Sequence, residues 1–410
     1  MIRKPIVTWK GCGFVKSLFE NLTILDLTEN LPGPYCTTLF ADLGANVIKI
    51  ERLDGDPARA AEPQVNGMSA VHHELGRNKK SIGLNLKESS GQEIFRRLVP
   101  KADVIIEGFR PGVVNRLGIG YEEMKKVNDQ ISYCSISGYG QNGPYSRLPG
   151  HDLNYISLAG ILGMTGTASG QLVIPGGQIA DIMGGAMMAA FAISSALYYR
   201  SQTGQGQYID ISMLDGAFSM LSLHLASYQV NKKNPQPSSM PLTGAYPCYD
   251  IYPTADSRSI AVGALETPFW VEICQVINEP DLIDKQFAEG AEGKLIKSRL
   301  TAIFMTRSSQ EWFELLSQAC VTPVITFDES LSNPQILSRG MVTELQSGTE
   351  QIPLINCPIR FSETPAQLIH PAPRLGEHTH ETLLDLGYSH SEIQSLQKHG
   401  LITINMKNLI

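Results

Sequence analysis

The stretch "LTILDLTENLPGPYCTTLFADLGANVIKIE", residues 22–51, changes from the pattern of a strand to that of a helix and back. "LTILDL" has the short apolar run of a buried strand, and "TENLPGP" has the proline and glycine of a turn. "YCTTLFADLGA" then predicts a helix that a glycine ends, and "NVIKIE" predicts a second strand. The stretch therefore indicates two strands that are joined by a helix.

The same unit recurs further along the chain. "SIGLNL" predicts a strand, "SSGQEIFRRLVPKA" a helix and "DVIIEG" the next strand, and "YEEMKKVN" predicts a helix before the strand "ISYCSISGYG". Strands that alternate with helices favour a mostly parallel sheet covered on both faces, which is the doubly wound α/β class. Ligands of such folds bind beyond the carboxyl ends of the strands.

A change of composition divides the chain. The segment "NKKNPQPSSMPLTGAYP" is rich in proline, asparagine and serine and indicates a linker. We predict a large Rossmann-like domain over residues 1–230, completed by about residues 370–410, a linker over 231–245, a smaller α+β domain over 246–345 and a return linker over 346–369.

Composition restricts the class of protein. Hydrophobic residues form 42% of the 410 residues and the net charge is −7, as in a soluble globular protein, so we expect no nucleic-acid partner. The seven cysteines include no CxxC pair, which favours reduced thiols in the cytoplasm. The first twenty residues lack the apolar core of a secretory signal. No metal-binding motif occurs, and no metal is expected.

One segment is long enough to cross a membrane. "DIMGGAMMAAFAISSALYYR", residues 181–200, has about the length of a bilayer span. It is rich in alanine, glycine and serine, which also suit a helix that packs tightly inside a domain. We predict a buried helix of a soluble protein and no membrane partner.

The glycines of "GYGQNG", residues 138–143, have the spacing of a dinucleotide-binding fingerprint. That fingerprint requires a helix directly afterwards, because the helix N-terminus receives the pyrophosphate. Here Pro144 and the loop-like "YSRLPG" follow. The pattern favours a glycine-rich loop that turns sharply or approaches a ligand, so no nucleotide cofactor is expected.

Three arginines follow predicted strands or lie in adjoining loops, namely Arg52, Arg77 and Arg110. Each alone is compatible with a solvated surface side chain. Because the ends of parallel strands meet at one edge of a sheet, the three together are also compatible with a site for a phosphorylated ligand.

The segment "PGHDLNY" places His151 beside Asp152. Consecutive side chains in a helix or turn diverge by about 100°, so the two do not point at one atom. Asp152 could be the N-cap of the helix "LNYISLAG", with His151 in a loop, or either residue could be catalytic. Spacing alone leaves these alternatives open.

Several segments in order resemble the class III (CaiB/BaiF-type) CoA-transferase superfamily: "LPGPYCTTLFADLGANVIKIE", "GRNKKSIGLNLK", "ADVIIEGFRPGVVNRLGIGYE", "SISGYGQNGP", "GHDLNY" and "TGQGQYIDISMLDG". The resemblance runs from about residue 22 to the end and is closest to the 2-methylacyl-CoA racemase subgroup. It implies a large and a small domain in an interlocked homodimer, a Rossmann-like fold, and coenzyme A as part of the substrate. Arg52, Arg77 and Arg110 would then contact the coenzyme A.

The resemblance implies two alternative chemistries for the site. In the transferases an aspartate at the position of Asp152 is the nucleophile that forms the acyl-enzyme. In the racemases, a histidine matching His151 and an aspartate matching Asp181 exchange the α-proton, and a glutamate matching Glu266 from the other subunit supports the histidine. Because transferases usually lack the histidine, His151 favours the racemase.

Elementary chemistry is consistent with this interpretation. A thioester acidifies its α-hydrogen, and inversion of that carbon needs a base on each face of the planar enolate. Imidazoles exchange protons near neutral pH, and burial at the start of an apolar helix would raise the pKa of Asp181 so that it could donate. The N–H groups of that helix end are expected to face an enolate oxygen. The sequence thus predicts a racemase of 2-methyl-branched acyl-CoA thioesters, with CoA transfer through Asp152 as the alternative.

Overall fold

The computed structural model describes residues 17–405. The expectation of no secretory signal in residues 1–16, and the assignment of residues 1–16 and 406–410 to the large domain, lie outside the described residues. The strands are β1 Thr23–Leu27, β2 Asn46–Glu51, β3 Gln64–Val65, β4 Met68–Ser69, β5 Lys80–Leu84, β6 Val104–Glu107, β7 Ser132–Ser137, β8 Tyr208–Ser212, β9 Tyr249–Pro253, β10 Ser259–Gly263, β11 Val321–Pro323, β12 Val342–Ser347, β13 Glu350–Ile355 and β14 Ile402–Thr403.

A π-helical segment, Ile179–Met187, continues directly into the longest α-helix of the described chain. The α-helices are α1 Pro32–Asp42, α2 Ala70–Gly76, α3 Ser89–Leu98, α4 Val113–Arg116, α5 Tyr121–Val127, α6 Asp152–Leu158, α7 Ile161–Met164, α8 Met188–Thr203, α9 Met213–Ser219, α10 Ser222–Asn231, α11 Thr267–Val276, α12 Gly290–Phe304, α13 Ser309–Leu316, α14 Phe327–Leu331, α15 Pro334–Ser338, α16 Thr379–Asp385 and α17 His390–Lys398.

A seven-stranded sheet of order β14-β5-β2-β1-β6-β7-β8 forms the centre of the fold. All its neighbouring strands pair in parallel except β14, which pairs antiparallel with β5. Leu25 of β1 aligns with Ile48 of β2 on one side and with Ile105 of β6 on the other. The predicted α/β class with a mostly parallel sheet is confirmed.

The opening stretch explains the first unit of this sheet. Helix α1 begins with Pro32 in its first turn, where a proline costs no hydrogen bond, and its buried face includes Leu39 and Phe40. Gly44 follows the helix with φ +93°, a backbone conformation that favours glycine. The chain then reverses into β2, whose central residues are buried on both faces of the sheet, as parallel strands usually are.

One face of the sheet holds an apolar core. Leu25, Ile105 and Tyr133 from three neighbouring strands pack there with Phe95 of α3 and Met124 of α5, and all five are fully buried. Burial of each large apolar side chain contributes roughly 1.5–3 kcal/mol to folding. This face therefore accounts for much of the stability of the sheet.

The other face of the sheet carries a buried charge cluster beneath the β1–α1 loop. We define it as Asp26, Lys49, Asp56 and Lys79, all of which are almost inaccessible to water. Lys49 Nζ lies 2.8 Å from an oxygen of Asp56, and Lys79 Nζ lies 3.4 Å from an oxygen of Asp26. Lys49 also donates to the carbonyl oxygen of Thr28, 2.7 Å away. Each charge thus has an opposite partner, as buried charges require.

The described chain forms two compact units. The first comprises residues 17–159, 177–220 and 334–405, and the second comprises residues 160–176 and 221–333. The second unit contains the antiparallel sheet β11-β10-β9 and its own core, in which Trp270, Tyr252 and Phe304 are buried. The chain therefore leaves the first unit twice and returns to it twice.

The boundary near residue 345 differs from the prediction. Residues 342–355 form the hairpin β12–β13 within the first unit, whereas the sequence indicated the end of the small domain and a return linker. Ile352 and Leu354 are buried, and Gly348 makes the turn with φ +60°. The glutamines and glutamates between these apolar residues hid the alternation of the strands.

The helix over Ile179–Thr203 has the length and composition of a membrane span, and 39% of its most apolar window is buried in this chain. The sequence predicted a buried helix, and the burial is partial. Phe191 is 73% exposed and Tyr198 is 71% exposed. The helix thus presents a large apolar face that this single chain leaves open.

Candidate active site

A cavity of about 400 Å³ opens at the carboxyl ends of three neighbouring strands. Thr28 follows β1, Gly108 follows β6 and Gly138 follows β7, and all three residues line it. Two residues that the sequence predicted as catalytic, His151 and Asp181, line the same cavity. The structure thus brings together two residues that are thirty positions apart, at the edge where α/β sheets bind ligands. We call this the first cavity.

The backbone around His151 is held on both sides. His151 is extended, with φ −132° and ψ 175°, and helix α6 starts at the next residue. Its N–H donates to Asn154 Oδ1 at 3.0 Å, which is half of a capping box. The Tyr155 hydroxyl donates to the carbonyl oxygen of Gly150 at 2.6 Å. These contacts fix the position from which the exposed His151 side chain lines the cavity.

Glycines allow the close packing of Tyr155. A Cβ atom at Gly138 would lie 2.4 Å from the Tyr155 ring, and one at Gly150 would lie 2.7 Å from it. Both distances are too short for any side chain to be accommodated without movement of the ring. The glycine-rich loop predicted to approach a ligand thus also makes room for a tyrosine of the cavity wall.

Asp152 caps another helix. Its Oδ1 accepts the N–H groups of Ala180 at 2.6 Å and of Asp181 at 2.9 Å, at the first turn of the π-helical segment. The sequence allowed it as the N-cap of α6, but it is the first residue of α6 and binds the start of the next long helix. It is not among the residues that line the first cavity. A carboxylate at a helix N-terminus is stabilising.

The helix end at Asp181 is therefore occupied. The N–H groups of Ala180 and Asp181 donate to Asp152, and the N–H of Ile182 donates to the Gln178 carbonyl oxygen. The expectation that these groups face an enolate oxygen is wrong, because the Asp152 carboxylate and the preceding turn already use them.

Asp181 itself is half-buried and has a perturbed acidity. Its pKa is raised to about 6: burial is the largest cause, the negative charge of Asp152 adds to the rise, and His151 opposes it. A carboxyl group with this pKa can both accept and donate a proton near neutral pH.

The π-helical segment that carries Asp181 touches α9 backbone to backbone. A Cβ at Gly216 would lie 2.1 Å from the carbonyl oxygen of Gly184, and one at Gly184 would lie 2.8 Å from the Met213 carbonyl oxygen. Only glycine fits at either position. Because Met213 also lines the first cavity, this contact helps to fix the cavity wall.

A second cavity of about 420 Å³ lies beyond the ends of β2 and β5. Arg52 and Lys87 line it, together with the carboxylates of Glu29, Glu51 and Asp54. Glu29 and Phe109 line both the first and the second cavity, and we call this pair the neck. Arg52 therefore lines a cavity at the carboxyl ends of two strands. Arg110, the next residue after Phe109, lines the first cavity.

Arg77 is placed differently. It is buried, and its guanidinium binds both oxygens of Asp42 at 2.9–3.2 Å and Glu74 Oε1 at 2.8 Å. It lines neither cavity. The structure therefore does not place Arg77 at the cavities that Arg52 and Arg110 line, and its guanidinium joins α1 to α2. The sequence does not indicate which carboxylate forms an ion pair with a given arginine.

Glu266 belongs to the second unit. It is exposed and occupies the N-cap position of α11, where its side chain makes no capping hydrogen bond. Nothing in the described chain tests its predicted support of His151 from another subunit.

Sequence reasoning missed two carboxylates at the ends of strands. Glu29 reaches the neck from the loop after β1. Glu107, the last residue of β6, is buried and accepts the N–H of Phe109 at 2.7 Å and a hydrogen bond from the Ser135 hydroxyl. Burial raises the pKa of Glu107 to about 7. Glu107 ends a buried apolar strand and Glu29 lies two residues after one, and these positions were the signal that could have identified them.

Comparison with known proteins identifies the family. Residues 19–379 match the profile of "CoA-transferase family III". The chain belongs to CoA-transferase family III. This confirms the resemblance found in the sequence motifs.

Members with different activities are similarly related to this family III chain. The human alpha-methylacyl-CoA racemase is 31% identical over 390 residues, which cover 94% of this chain and 98% of that protein. The acetyl-CoA:oxalate CoA-transferase of Acetobacter aceti is 35% identical over 347 residues, or 82% of this chain and 88% of that protein. Identity alone therefore does not assign the reaction.

A solved family III structure has the same fold. The crystal structure of a CAIB/BAIF family protein from Brucella suis matches with a TM-score of 0.78 and 29% identity. The match covers 90% of this chain and 99% of that chain. The fold described above is therefore also that of a solved CAIB/BAIF family protein.

Proposed function

We propose that the protein is a racemase of 2-methyl-branched acyl-CoA thioesters that moves the α-proton between His151 and Asp181. The observation that carries the proposal is that these two side chains line one cavity, whereas the Asp152 carboxylate is held by the backbone of Ala180 and Asp181. Two proton-exchanging groups at one cavity are what inversion at an acidic carbon requires.

Each group has a distinct part in the reaction. One of the pair removes the α-proton from one face of the thioester, and the other returns a proton to the opposite face. Asp181, whose burial raises its pKa to about 6, would supply the carboxyl half of the pair. Asp152 would act as a positioning residue, because its hydrogen bonds orient the backbone of Asp181.

The two cavities suit an acyl-CoA substrate. The positive charges of Arg52 and Lys87 in the second cavity favour the phosphates, and the first cavity would hold the thioester. Arg110 would assist from the loop after β6. The chemistry needs no further cofactor and no metal, since the thioester itself acidifies the proton.

A homodimer is also part of the proposal. The helix over Ile179–Thr203 is apolar and only partly buried, with Phe191 and Tyr198 exposed, and exposed apolar patches of this kind mark interaction sites. A second copy would cover it, and the interlocked arrangement would allow Glu266 of one copy to support His151 of the other. The six described cysteines are unpaired, which favours the cytoplasm.

The alternative is CoA transfer between a thioester and a carboxylic acid. It has the support of the transferase relatives, and Asp152 is present as the required carboxylate. In that reaction the carboxylate of Asp152, whose Oδ1 accepts the N–H groups of Ala180 and Asp181, would have to reach the thioester, although Asp152 is not among the residues that line the first cavity.

Isotope exchange tests the proposal. The protein is incubated with (R)-2-methylacyl-CoA in deuterated water, and α-deuterium uptake and loss of chirality are followed together. We expect deuterium uptake and loss of chirality to have rates of the same order of magnitude. We expect His151→Gln to slow both by about 10²–10⁴-fold, as loss of a general acid–base group does. No exchange, combined with appearance of CoA on an added carboxylate, contradicts the racemase.

A conservative variant separates the two reactions. Asp152→Asn keeps an oxygen that can accept the N–H groups of Ala180 and Asp181, but it removes the nucleophile. A racemase should retain exchange within about ten-fold, whereas a transferase that depends on an Asp152 acyl-enzyme should lose its turnover almost completely.

A further inference from the structure

Glu29 occupies the junction of the two cavities. Its side chain and that of Phe109 border both, so they form the neck between the region of Arg52 and the region of His151 and Asp181. A ligand that extends from one cavity into the other along this shared wall passes these two residues. The Glu29 carboxylate is the charged group that such a ligand meets there.

The chemistry of the proposed ligand defines what passes the neck. With the phosphates near Arg52 and the thioester in the first cavity, the connecting arm of coenzyme A lies between them. That arm is uncharged and carries amide N–H groups and a hydroxyl, all of which donate hydrogen bonds. A carboxylate offers only acceptors, so the two are complementary.

The local charges leave the Glu29 carboxylate available. Arg52 Nε lies 3.7 Å from Glu29 Oε1, but the same guanidinium lies 3.1 Å from Asp54 Oδ2. The contact with Glu29 is too long for a hydrogen bond. Glu51 and Asp54 also line the second cavity but not the first, so Glu29 is the carboxylate that the two cavities share. Burial raises the pKa of Glu29, with Arg52 opposing the rise.

The buried charge cluster fixes the backbone of Glu29 on both sides. Lys49 donates to the carbonyl oxygen of Thr28 at 2.7 Å, and Asp56 Oδ1 accepts the N–H of Asn30 at 3.2 Å. Lys49 and Asp56 are themselves paired at 2.8 Å. Asn30 has φ +65°, a conformation that needs such support. Glu29 is thus held in place before any ligand arrives.

We infer that Glu29 is a ligand-binding residue that accepts hydrogen bonds from the arm of coenzyme A at the neck. The inference rests on the proposed function only in taking an acyl-CoA as the ligand, and it holds for a racemase or a transferase. It assigns to Glu29 the recognition of the arm, as distinct from recognition of the phosphates by Arg52.

Binding measurements with two probes test this assignment. Acetyl-CoA contains the arm, and adenosine 3′,5′-bisphosphate does not. We expect Glu29→Ala to weaken acetyl-CoA binding about ten-fold, as loss of a charged hydrogen-bond acceptor does. We expect adenosine 3′,5′-bisphosphate to bind Glu29→Ala as well as or better than the wild type. Glu29→Gln, which keeps one accepting oxygen, should bind acetyl-CoA with intermediate affinity.

Asp54→Ala is the matched control. Asp54 lies beside the same Arg52 and lines the second cavity without reaching the first. Its removal should affect the two probes equally. If Glu29→Ala leaves acetyl-CoA binding unchanged, or weakens both probes equally, the assignment is wrong while the proposed function stands. A wild-type protein that binds neither probe contradicts the proposed function and the assignment together.

Discussion

Asp26 and Glu107 are two carboxylates on neighbouring strands of one sheet, and burial has opposite results for them. Asp26 is 0% exposed and Glu107 is 1% exposed. Burial would raise the pKa of Asp26, but Lys49 and Lys79 overcome it and hold the pKa below its ordinary value. Glu107 is held by the Ser135 hydroxyl and the Phe109 amide, and its pKa rises to about 7.

The difference shows that the partners of a buried carboxylate, and not its depth, decide its charge. The face of the sheet with paired charges fixes the β1–α1 loop. Asp181 in the first cavity resembles Glu107, because burial and a neighbouring carboxylate raise its pKa to about 6. Paired charges thus serve rigidity, and carboxyl groups without a matching cation can exchange protons near neutral pH.

Removal of Asp26 should have the largest effect on stability. Asp26→Ala leaves Lys79 buried without its ion-pair partner, while Lys49 keeps Asp56, and the change should lower the free energy of unfolding by roughly 3–5 kcal/mol. Urea unfolding at pH 7 measures this. Asp26→Asn keeps acceptors for the Thr28 N–H and the Thr37 hydroxyl and should cost less. Equal stability of Asp26→Ala and the wild type would contradict the structural role of the cluster.

Glu107 should make stability fall as pH rises. Between about pH 4.5 and 7 the unfolded chain releases the Glu107 proton while the folded chain retains it, so ionisation opposes folding across this window. The contribution is roughly 3 kcal/mol at most, from about 2.5 pH units between the two pKa values. Glu107→Gln should flatten the decline in unfolding free energy measured from pH 4.5 to 8. A steeper decline in the variant would refute the assignment.

Replacement of Asp152 should have a smaller effect on stability and should also change the pKa of Asp181. Asp152→Ala removes the acceptor for the N–H groups of Ala180 and Asp181, at a cost of about 0.5–2 kcal/mol, as for other helix caps. Because the Asp152 charge helps to raise the pKa of Asp181, the acid limb of the pH–rate profile should move to lower pH. A shift to higher pH would show that the two carboxylates do not interact as described.

An exposed ion pair provides the lower limit of the series. Lys126 and Glu123 are 2.7 Å apart, with side chains 68% and 52% exposed. Lys126→Ala should change the free energy of unfolding by less than about 1 kcal/mol, because solvent already screens the pair. If Lys126→Ala lowered the free energy of unfolding as much as Asp26→Ala, burial would not determine how much an ion pair contributes to stability.

The sequence predicted the first strands of the large sheet well, because each is a short apolar run. "LTILDL" and "NVIKIE" became β1 and β2 as expected, and residues His151 and Asp181 reached one cavity. The hairpin over residues 342–355 was missed because polar residues dominate it.

Pairings between distant side chains could not be read from the sequence. Arg77 binds Asp42, thirty-five positions away in the sequence, and Asp152 accepts hydrogen bonds from the backbone of Ala180 and Asp181. Such choices depend on how helices pack in three dimensions, which local periodicity does not encode.

The contact between Gly184 and Gly216 has a consequence for the evolution of this protein. A single added methyl group at residue 216 would collide with the backbone of the helix that carries Asp181. In a library of all single substitutions, position 216 should therefore be depleted even when selection acts on folding alone. Under selection for folding alone, substitutions are thus less tolerated at Gly216, which takes no part in the chemistry, than at the exposed His151. Replacement of His151 is expected to remove activity and leave the fold intact.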